Sequence, residues 1–421
     1  MTVSLCIIAY NEEAALPRLL EQVLAQTYPG NKTEIVLVDS GSSDGTRELM
    51  DGFARDRGSA FLGITVLDNP RRNQAAGWNT AISSARGDII IRVDAHAEIP
   101  EDFIEQNVLL IESGEDVCGG ARPSKLDSPT PMKEMLLLAE SSMFGSSPAG
   151  YRRKSGEKKY VSSVFHGAYR RSVFESVGGF NEDLGRTEDN ELHYRIRKDG
   201  YRICQGSDII SYQHVRGSLG SMLAQKFGNG KWIGLTMGVC YQCISSFHFV
   251  PFFFVLALFC SLLLFVSAFI TGNLWMAWPF IFVFGTYILA DIMMSAASAA
   301  SAERKHFSYF LLPAVFFMLH VSYGAGTVVG LVQIPFWKHM LKKNAKLNGF
   351  TAKDRIEQVR QCVTANSAKG RPDGSEQSVP SASVSDGRSG QSAAEGSGEN
   401  DTDTDKSDNQ ISGRTHEEVT E

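Results

Sequence analysis

The sequence predicts an α/β domain with a parallel sheet, then an α-helical membrane region, then a disordered tail. Three observations carry this. Residues 1 to about 240 alternate short apolar runs with amphipathic stretches. Residues 244 to about 337 are almost purely apolar, and residues from about 365 onward are Ser, Gly, Asp and Glu without apolar pattern. The boundaries that follow are 1–240 for the α/β domain, 241–337 for the membrane helices, 338–364 for a basic juxtamembrane segment and 365–421 for the tail.

The α/β reading rests on its elements in order. "VSLCIIAY" is a short apolar run of the kind that forms a buried parallel strand. "NEEAALPRLLEQVLAQ" has helical spacing, with Asn11 as the expected N-cap and acids in the first turn. "TEIVLVDS" is a second strand, and "GSSDGTRELMDGFARD" turns into a helix. "ITVLDN" is a third strand, "NQAAGWNTAISSA" a helix and "DIIIRVDA" a fourth strand. A βαβαβαβ order predicts right-handed crossovers and a parallel sheet.

In such sheets the ligand sits at the carboxyl ends of the strands. Three of those ends are polar: Tyr10-Asn11-Glu12, Asp39-Ser40-Gly41 and Asp94-Ala95-His96. No GxGxxG follows the first strand, which argues against an ordinary dinucleotide fold. Each end also has a plain structural reading: a helix cap at Asn11 and Glu12, a turn at Asp39, a surface turn at Asp94. Three polar ends along one sheet edge favour a binding site over three unrelated turns.

"CISSFHFVPFFFVLALFCSLLLFVSAFI" and "LWMAWPFIFVFGTYILADIMMSA" are each long enough to span a bilayer core of ~30 Å. Only Thr271, Gly272 and Asn273 separate them, so they form a hairpin. A third apolar segment covers 307–337, and Pro313, His320, Gly324 and Gly326 leave open whether it is one helix or a broken, re-entrant pair. Trp275, Trp278 and Trp337 lie near segment ends, where interfacial aromatics belong. Arg304 and Lys305, and later Lys338, Lys342, Lys343 and Lys346, all call for the cytoplasmic side. Three simple spans cannot satisfy both clusters. Asp291 and His320 fall at membrane depth and serve either function or helix packing.

The tail holds 12 acidic and 5 basic side chains against a whole-chain charge of −6, so the rest is near neutral. Such a segment buries too little apolar surface to order itself. No basic excess points to nucleic acid as a partner. The seven Cys show no ligand spacing beyond Cys240-x-x-Cys243, and reduced thiols in a cytoplasmic domain are expected. "SLCIIAY" is too short for a signal h-region, so no secretory signal is expected.

"IIAYNEE", "IVLVDSGSSDGT", "NPRRNQAAGWNTAISSARGDIIIRVDAHAEIP" and "GGFNEDLGRTEDNELHYRIRKDG" together resemble the family 2 glycosyltransferases, over about residues 3 to 232. "RVDAHAEIP" and the later "HVRGSL" resemble the ExoA-type branch, which works in succinoglycan and exopolysaccharide assembly. The resemblance implies the GT-A fold, a Rossmann-like mixed, mostly parallel sheet. It implies that Ala9, Tyr10, Glu12 and Asp39 hold the nucleotide base, with Arg72 and Asn73 closing that pocket. Asp94 and His96 occupy the position of the family's Asp-x-Asp. There a divalent cation, Mn2+ or Mg2+, would bridge the donor's phosphates. Asp94 suits that cation, whereas His96 would ligate a softer one or contact phosphate. His214 falls where a late His ligand is often placed.

In "GRTEDNEL" the resemblance makes Asp189 the general base, with Glu188 beside it. A helix N-terminus with first-turn acids would satisfy the same residues. "AQKFGNGKW" lacks the spacing of the Gln-x-x-Arg-Trp found in processive members, which favours transfer of one sugar. The expected protein is therefore an inverting, multi-pass enzyme of the inner membrane with a cytoplasmic catalytic domain. Its donor would be a nucleotide diphosphate sugar, UDP-linked. Its acceptor would be a polyprenyl-diphosphate-linked saccharide. A processive synthase and a non-catalytic scaffold are the alternatives.

Overall fold

The computed structural model describes residues 1–126, 128–145, 156–215 and 217–368. Its sheet begins with four parallel strands: β1 (Val3–Ala9), β2 (Thr33–Asp39), β3 (Gly63–Asp68) and β4 (Ile89–Asp94). The helices between them are α1 (Leu16–Leu24), α2 (Thr46–Arg57) and α3 (Gln74–Ser84). These are the sequence-predicted elements in the predicted order. Ala9 pairs with Asp39, Asp39 with Asp68, and Ile8 with Asp94, so the polar strand ends share one edge.

α1 is shorter than its periodicity suggests. It starts at Leu16 with Pro17 in its first turn, and Asn11 is not its cap. Asn11 instead takes a left-handed φ of 53°, and its Oδ1 accepts from Ser43 N at 2.8 Å. Glu12 N donates to Thr46 Oγ1 at 2.8 Å. The polar residues after β1 thus tie down the turn after β2 rather than begin a helix.

Beyond β4 come α4 (Phe103–Glu112), β5 (Val117–Ala121), β6 (Ser124–Lys125) and α5 (Pro131–Ser141). Then follow β7 (Lys159–Val161), β8 (Phe165–Arg170), α6 (Arg171–Val177), α7 (Glu188–Lys198), β9 (Ile203–Ile210) and β10 (Gln213–His214). The main sheet runs β3-β2-β1-β4-β8-β5-β9-β7, while β6 and β10 form a small second sheet. β8 is antiparallel to both β4 and β5, which makes the sheet mixed but mostly parallel. Period-2 alternation divides β4 between the sheet's faces. Ile89, Ile91 and Val93 join one apolar layer, and Ile90 joins the other, with Trp78 and Phe180. Arg92 and Asp94 share the face of Ile90.

α8 (Leu219–Thr236) leads to the apolar helices α9 (Val250–Thr271), α10 (Trp278–Ser301) and α11 (Leu312–Asn348). Among the described residues these three regions are long and apolar enough to cross a membrane. α9 and α10 form the expected hairpin, turned at Gly272 with φ 70°. Phe253, Phe259, Phe269 and Phe282 on it are exposed, as are Trp275 and Trp278 near its tip.

α11 is one continuous helix with Pro335 inside it, neither broken nor re-entrant. It lies along α8 in the same direction: Leu223 O accepts from Ser322 Oγ at 2.8 Å, Gly326 meets Phe227, and Gly330 meets Lys231. Gly230 and Gly234 on α8 face Gly326 and Gly330 on α11, two GxxxG pairs that let the backbones touch. A Cβ at Gly230 or Gly326 would overlap a carbonyl oxygen of the facing helix.

Both ends of α11 belong to the α/β domain. Before it, Ser308 Oγ donates to Pro131 O at 2.9 Å, and His306 and Arg304 reach Glu134 at 2.8 and 3.4 Å. Near its end Trp337 is buried against Trp232 and Leu184, so it is not an interfacial aromatic. His320 bonds Tyr287 Oη at 2.9 Å and Phe144 O at 2.6 Å, tying α10 and α11 to the end of α5. Asp291 is buried on α10 and accepts from Ser295 Oγ at 3.3 Å. The His320 bonds run between elements, whereas the Asp291 bond stays within α10.

The segment expected to be a basic linker continues α11 and then forms α12 (Ala352–Ala368). α12 docks on α3 and α6: Val359 and Val363 are buried, Gly179 N donates to Ile356 O at 3.1 Å, and Asn366 Nδ2 donates to Ser83 O at 2.9 Å. The helix runs past the expected boundary at 365. The rest of the expected disordered tail lies outside the described residues. A chain ending at Ala368 is expected to keep its thermal stability and activity. One ending at Gly349 should lose about 1.5–3 kcal/mol for each valine uncovered, read as a fall in unfolding midpoint.

Candidate active site

One cleft of about 990 Å3 gathers Glu12, Asp94, His96, Glu188, Asp189 and His214. These come from the ends of β1 and β4, the start of α7, and β10. Ala9, Tyr10, Asp39, Arg72 and Asn73 are not among its lining residues. They sit on the same sheet edge, toward β2 and β3. Asp39 accepts from Gly41 N at 3.2 Å and Ser42 Oγ at 2.6 Å, so its carboxylate shapes its own turn. The Arg72 guanidinium lies against Gly41, and Arg72 itself has φ 51°. Tyr10 is exposed. Asn73 caps α3 by accepting from Ala76 N at 2.9 Å and donates to Glu182 O at 2.8 Å, which engages both ends of its amide.

Arg92 organises the cleft's floor. A buried arginine needs a partner, because an isolated charge is costly inside a protein. Here Nη1 donates to Asp189 Oδ1 at 2.7 Å. The guanidinium lies between Trp78 and Phe180, 4.4 and 4.5 Å from their ring centroids. Two residues along the same strand face, Asp94 enters the cleft. The first residues of α7 and the end of β4 are thereby joined.

Asp94 has two partners that its local sequence does not show. His166 Nε2 lies 3.2 Å from Asp94 Oδ2, and Arg122 Nη1 lies 3.6 Å from it. Burial pushes the Asp94 carboxyl up, but the His166 hydrogen bond, with the His166, His96 and Arg122 charges, outweighs it and holds the group well below the usual carboxylate range. His166 is a non-glycine residue with φ 44°, and its Nδ1 bonds Ser211 Oγ at 2.8 Å. Such a backbone persists only where the surroundings impose it, and it clusters at functional sites.

His96 Nδ1 lies 2.9 Å from Glu12 Oε1. That hydrogen bond raises the imidazole's pKa, with burial opposing it and the Asp94 charge adding to it. His214 is held elsewhere: its Nε2 meets Glu98 Oε1 at 2.8 Å, and Glu98 also pairs with Arg18 at 2.8 Å and Lys125 at 3.2 Å. Among the described residues no three His, Cys, Asp or Glu side chains converge as a metal-ligand set. Asp94 offers the kind of oxygen a hard cation takes, whereas His96 is engaged by Glu12 and His214 by Glu98.

Glu188 differs from its neighbour. It is buried, and its Oε2 has no hydrogen-bond partner. Burial, with the Asp189 charge beside it, pushes the Glu188 carboxyl up to about 8. Two adjacent carboxyls thus sit in unlike environments, one paired with arginine and one with a buried oxygen, Oε2, that has no hydrogen-bond partner. The folded chain holds the Glu188 proton through a window where the unfolded chain, at about 4.5, has lost it. Stability should therefore fall as pH rises from about 4.5 to about 8. Glu188→Gln removes this titration, and its unfolding midpoint is expected to be flatter across that window.

The "AQKFGNGKW" stretch is part of α8. Gln225 and Lys226 line the cleft, and Lys226 pairs with Glu140 at 3.1 Å. Trp232 packs against Trp337.

The mostly parallel sheet is that of the GT-A fold, with Asp94 at a strand end and the acidic α7 N-terminus across the cleft from it. The sequence model of glycosyl transferase family 2 matches residues 4–178. The chain is 32% identical over 236 residues to the succinoglycan biosynthesis protein ExoA of Rhizobium meliloti (strain 1021), covering 55% of this chain and 68% of that protein. It is 25% identical over 337 residues to a Methanococcus voltae dolichyl N-acetyl-alpha-D-glucosaminyl phosphate 3-beta-D-2,3-diacetamido-2,3-dideoxy-beta-D-glucuronosyltransferase, covering 79% and 97%. It is 33% identical over 176 residues to an undecaprenyl-phosphate 4-deoxy-4-formamido-L-arabinose transferase of Pseudomonas aeruginosa (strain LESB58), covering 42% and 49%. The chain belongs to glycosyl transferase family 2.

Proposed function

We propose that this glycosyltransferase is an inverting enzyme that moves one sugar from a nucleotide diphosphate donor, UDP-linked, to a lipid-linked saccharide at a membrane surface. The observation that carries the reading is the Arg92 bridge, which ties Asp189 to the strand that bears Asp94 and sets both carboxylates on one cleft. Asp189 takes the proton of the acceptor hydroxyl as its oxygen attacks the anomeric carbon, and the diphosphate leaves on the opposite side. One such displacement inverts the configuration. Glu188, without a hydrogen-bond partner for Oε2 and raised in pKa, stays protonated at neutral pH and leaves the base role to Asp189.

A divalent cation held by Asp94, with His96 beside it, would neutralise the departing diphosphate. Arg122 adds a positive charge on the same wall of the cleft. Ala9, Tyr10, Glu12 and Asp39 form the nucleotide end, with Arg72 folded over Gly41 and Asn73 capping α3 behind it.

Lipid linkage is supported by the relatives named for dolichyl and undecaprenyl phosphates. Membrane attachment is supported by the hairpin. α9 and α10 have 22 and 24 residues. At 1.5 Å per residue they reach ~33 and ~36 Å, enough for a ~30 Å hydrocarbon core. We assign the two crossings to these helices and lay α11 along the membrane face beside α8. Both basic clusters then fall on the side of the catalytic domain, as the charge rule requires. The deciding experiment is a screen of nucleotide sugars on membranes holding the full chain, with lipid-linked acceptors and manganese. A product longer by one sugar, absent in Asp189→Asn, supports the reading. A polymer, or no donor turnover with any nucleotide sugar, overturns it.

A further inference from the structure

A second chamber of about 400 Å3 lies between α9, α10, α11 and the end of α5. Its wall is mostly apolar: Phe144, Pro251, Phe254 and Leu319 dominate it. Two of its polar groups are engaged within the protein, since both His320 nitrogens are hydrogen-bonded and Tyr287 Oη is one of their partners. Lys226, Phe247, His248 and Tyr323 line both this chamber and the catalytic cleft. The two spaces therefore adjoin along one wall, and at that wall the Lys226–Glu140 ion pair is buried.

From the cleft outward the lining changes from carboxylates and cations, through one ion pair with an ammonium, to hydrocarbon beside the apolar hairpin. That order matches a molecule with a saccharide head, an anionic link and a hydrocarbon tail. We infer that the chamber holds the first units of the isoprenoid tail of the acceptor, with its phosphate link at Lys226. This rests on the lipid-linked reading above and adds the place where the lipid enters. An isoprenoid tail suits a short, aromatic-rich chamber that is open at one rim and adjoins the site of chemistry. Ordinary bilayer acyl chains already have the open outer faces of α9 and α10.

The test uses the full chain in detergent micelles and an isoprenoid phosphate carrying a diazirine in its first units. After irradiation, adducts are mapped by peptide mass spectrometry. They are expected on 247–254 and 319–323, and unlabelled isoprenoid phosphate should compete them away while equal phosphatidic acid does not. Val250 sits at the chamber's exposed rim, where a larger side chain can be carried without disturbing the core. Val250→Trp should cut the competed labelling about tenfold. Ile281→Trp, on the exposed face of α10, should leave it unchanged.

Adducts confined to outward residues such as Phe259 and Phe282 would overturn the assignment. So would equal competition by phosphatidic acid, or unchanged labelling in Val250→Trp. Labelling needs no turnover, so the two readings fail separately. Absent chamber adducts with intact sugar transfer sink the chamber alone. Chamber adducts without transfer from any donor sink the proposed reaction alone.

Discussion

Asp189→Asn is expected to lose about 100- to 10,000-fold in transfer rate, the usual share of a general base. The amide keeps the shape of the side chain but cannot take the acceptor proton. The substitution has a second consequence, because Arg92 is buried and Asp189 is its ion-pair partner. Removing one member of such a pair typically costs about 3–5 kcal/mol. A loss of activity alone would therefore not separate catalysis from unfolding. Adding Arg92→Met removes the orphaned charge while keeping an apolar stem between Trp78 and Phe180. The double variant is expected to recover much of the unfolding midpoint and none of the transfer. Recovery of transfer in the double variant would show that Asp189 serves stability only.

Gly326→Val is expected to lift α11 off α8. A Cβ there has no free space, because the Phe227 carbonyl already occupies it. Neither helix can yield locally, since the facing Gly230–Tyr323 and Gly330–Lys231 approaches are just as close. Overpacking of this kind costs about 1–3 kcal/mol. Limited proteolysis of 338–350 should speed up and the unfolding midpoint should fall. Gly285→Val on α10, where a Cβ meets nothing, is the control and should change neither. An unaltered midpoint in Gly326→Val would mean that the close α8–α11 contact contributes little.

β1, β2 and β4 were legible because parallel strands buried on both faces read as plain apolar runs, and the half-exposed edge strand β3 was legible from its shorter one. Asp94 was legible because it ends such a run. What surrounds Asp94 was not, because His166 reaches it from a strand that inserts antiparallel between β4 and β5. Strand order of that kind is set by long-range pairing, which local periodicity does not encode. Arg92 carried a readable sign: an arginine inside an apolar strand demands an acidic partner, although not which one. Arg122 follows β5 with no comparable signal.

His214 shows the opposite case. Its position in the chain suggested a ligand, but Glu98, itself a close neighbour of His96, claims it. The third apolar segment carries a sign of its partner: the glycines at 326 and 330 fit close helix contact, and the matching pair at 230 and 234 names α8 as the facing helix.

The docking of α12 bears on when the enzyme can become active during synthesis. Val359 and Val363 complete an apolar layer whose other members, among them Trp78, Phe174 and Ile196, are made much earlier. At ~5–20 residues per second, the ribosome needs roughly 8–30 s to pass from Ile210 to Val363. Within that interval the apolar helices α9 and α10 emerge. Until α12 follows them, the α/β domain has one flank of its apolar layer uncovered, so closure of the domain is expected to be a late event of synthesis.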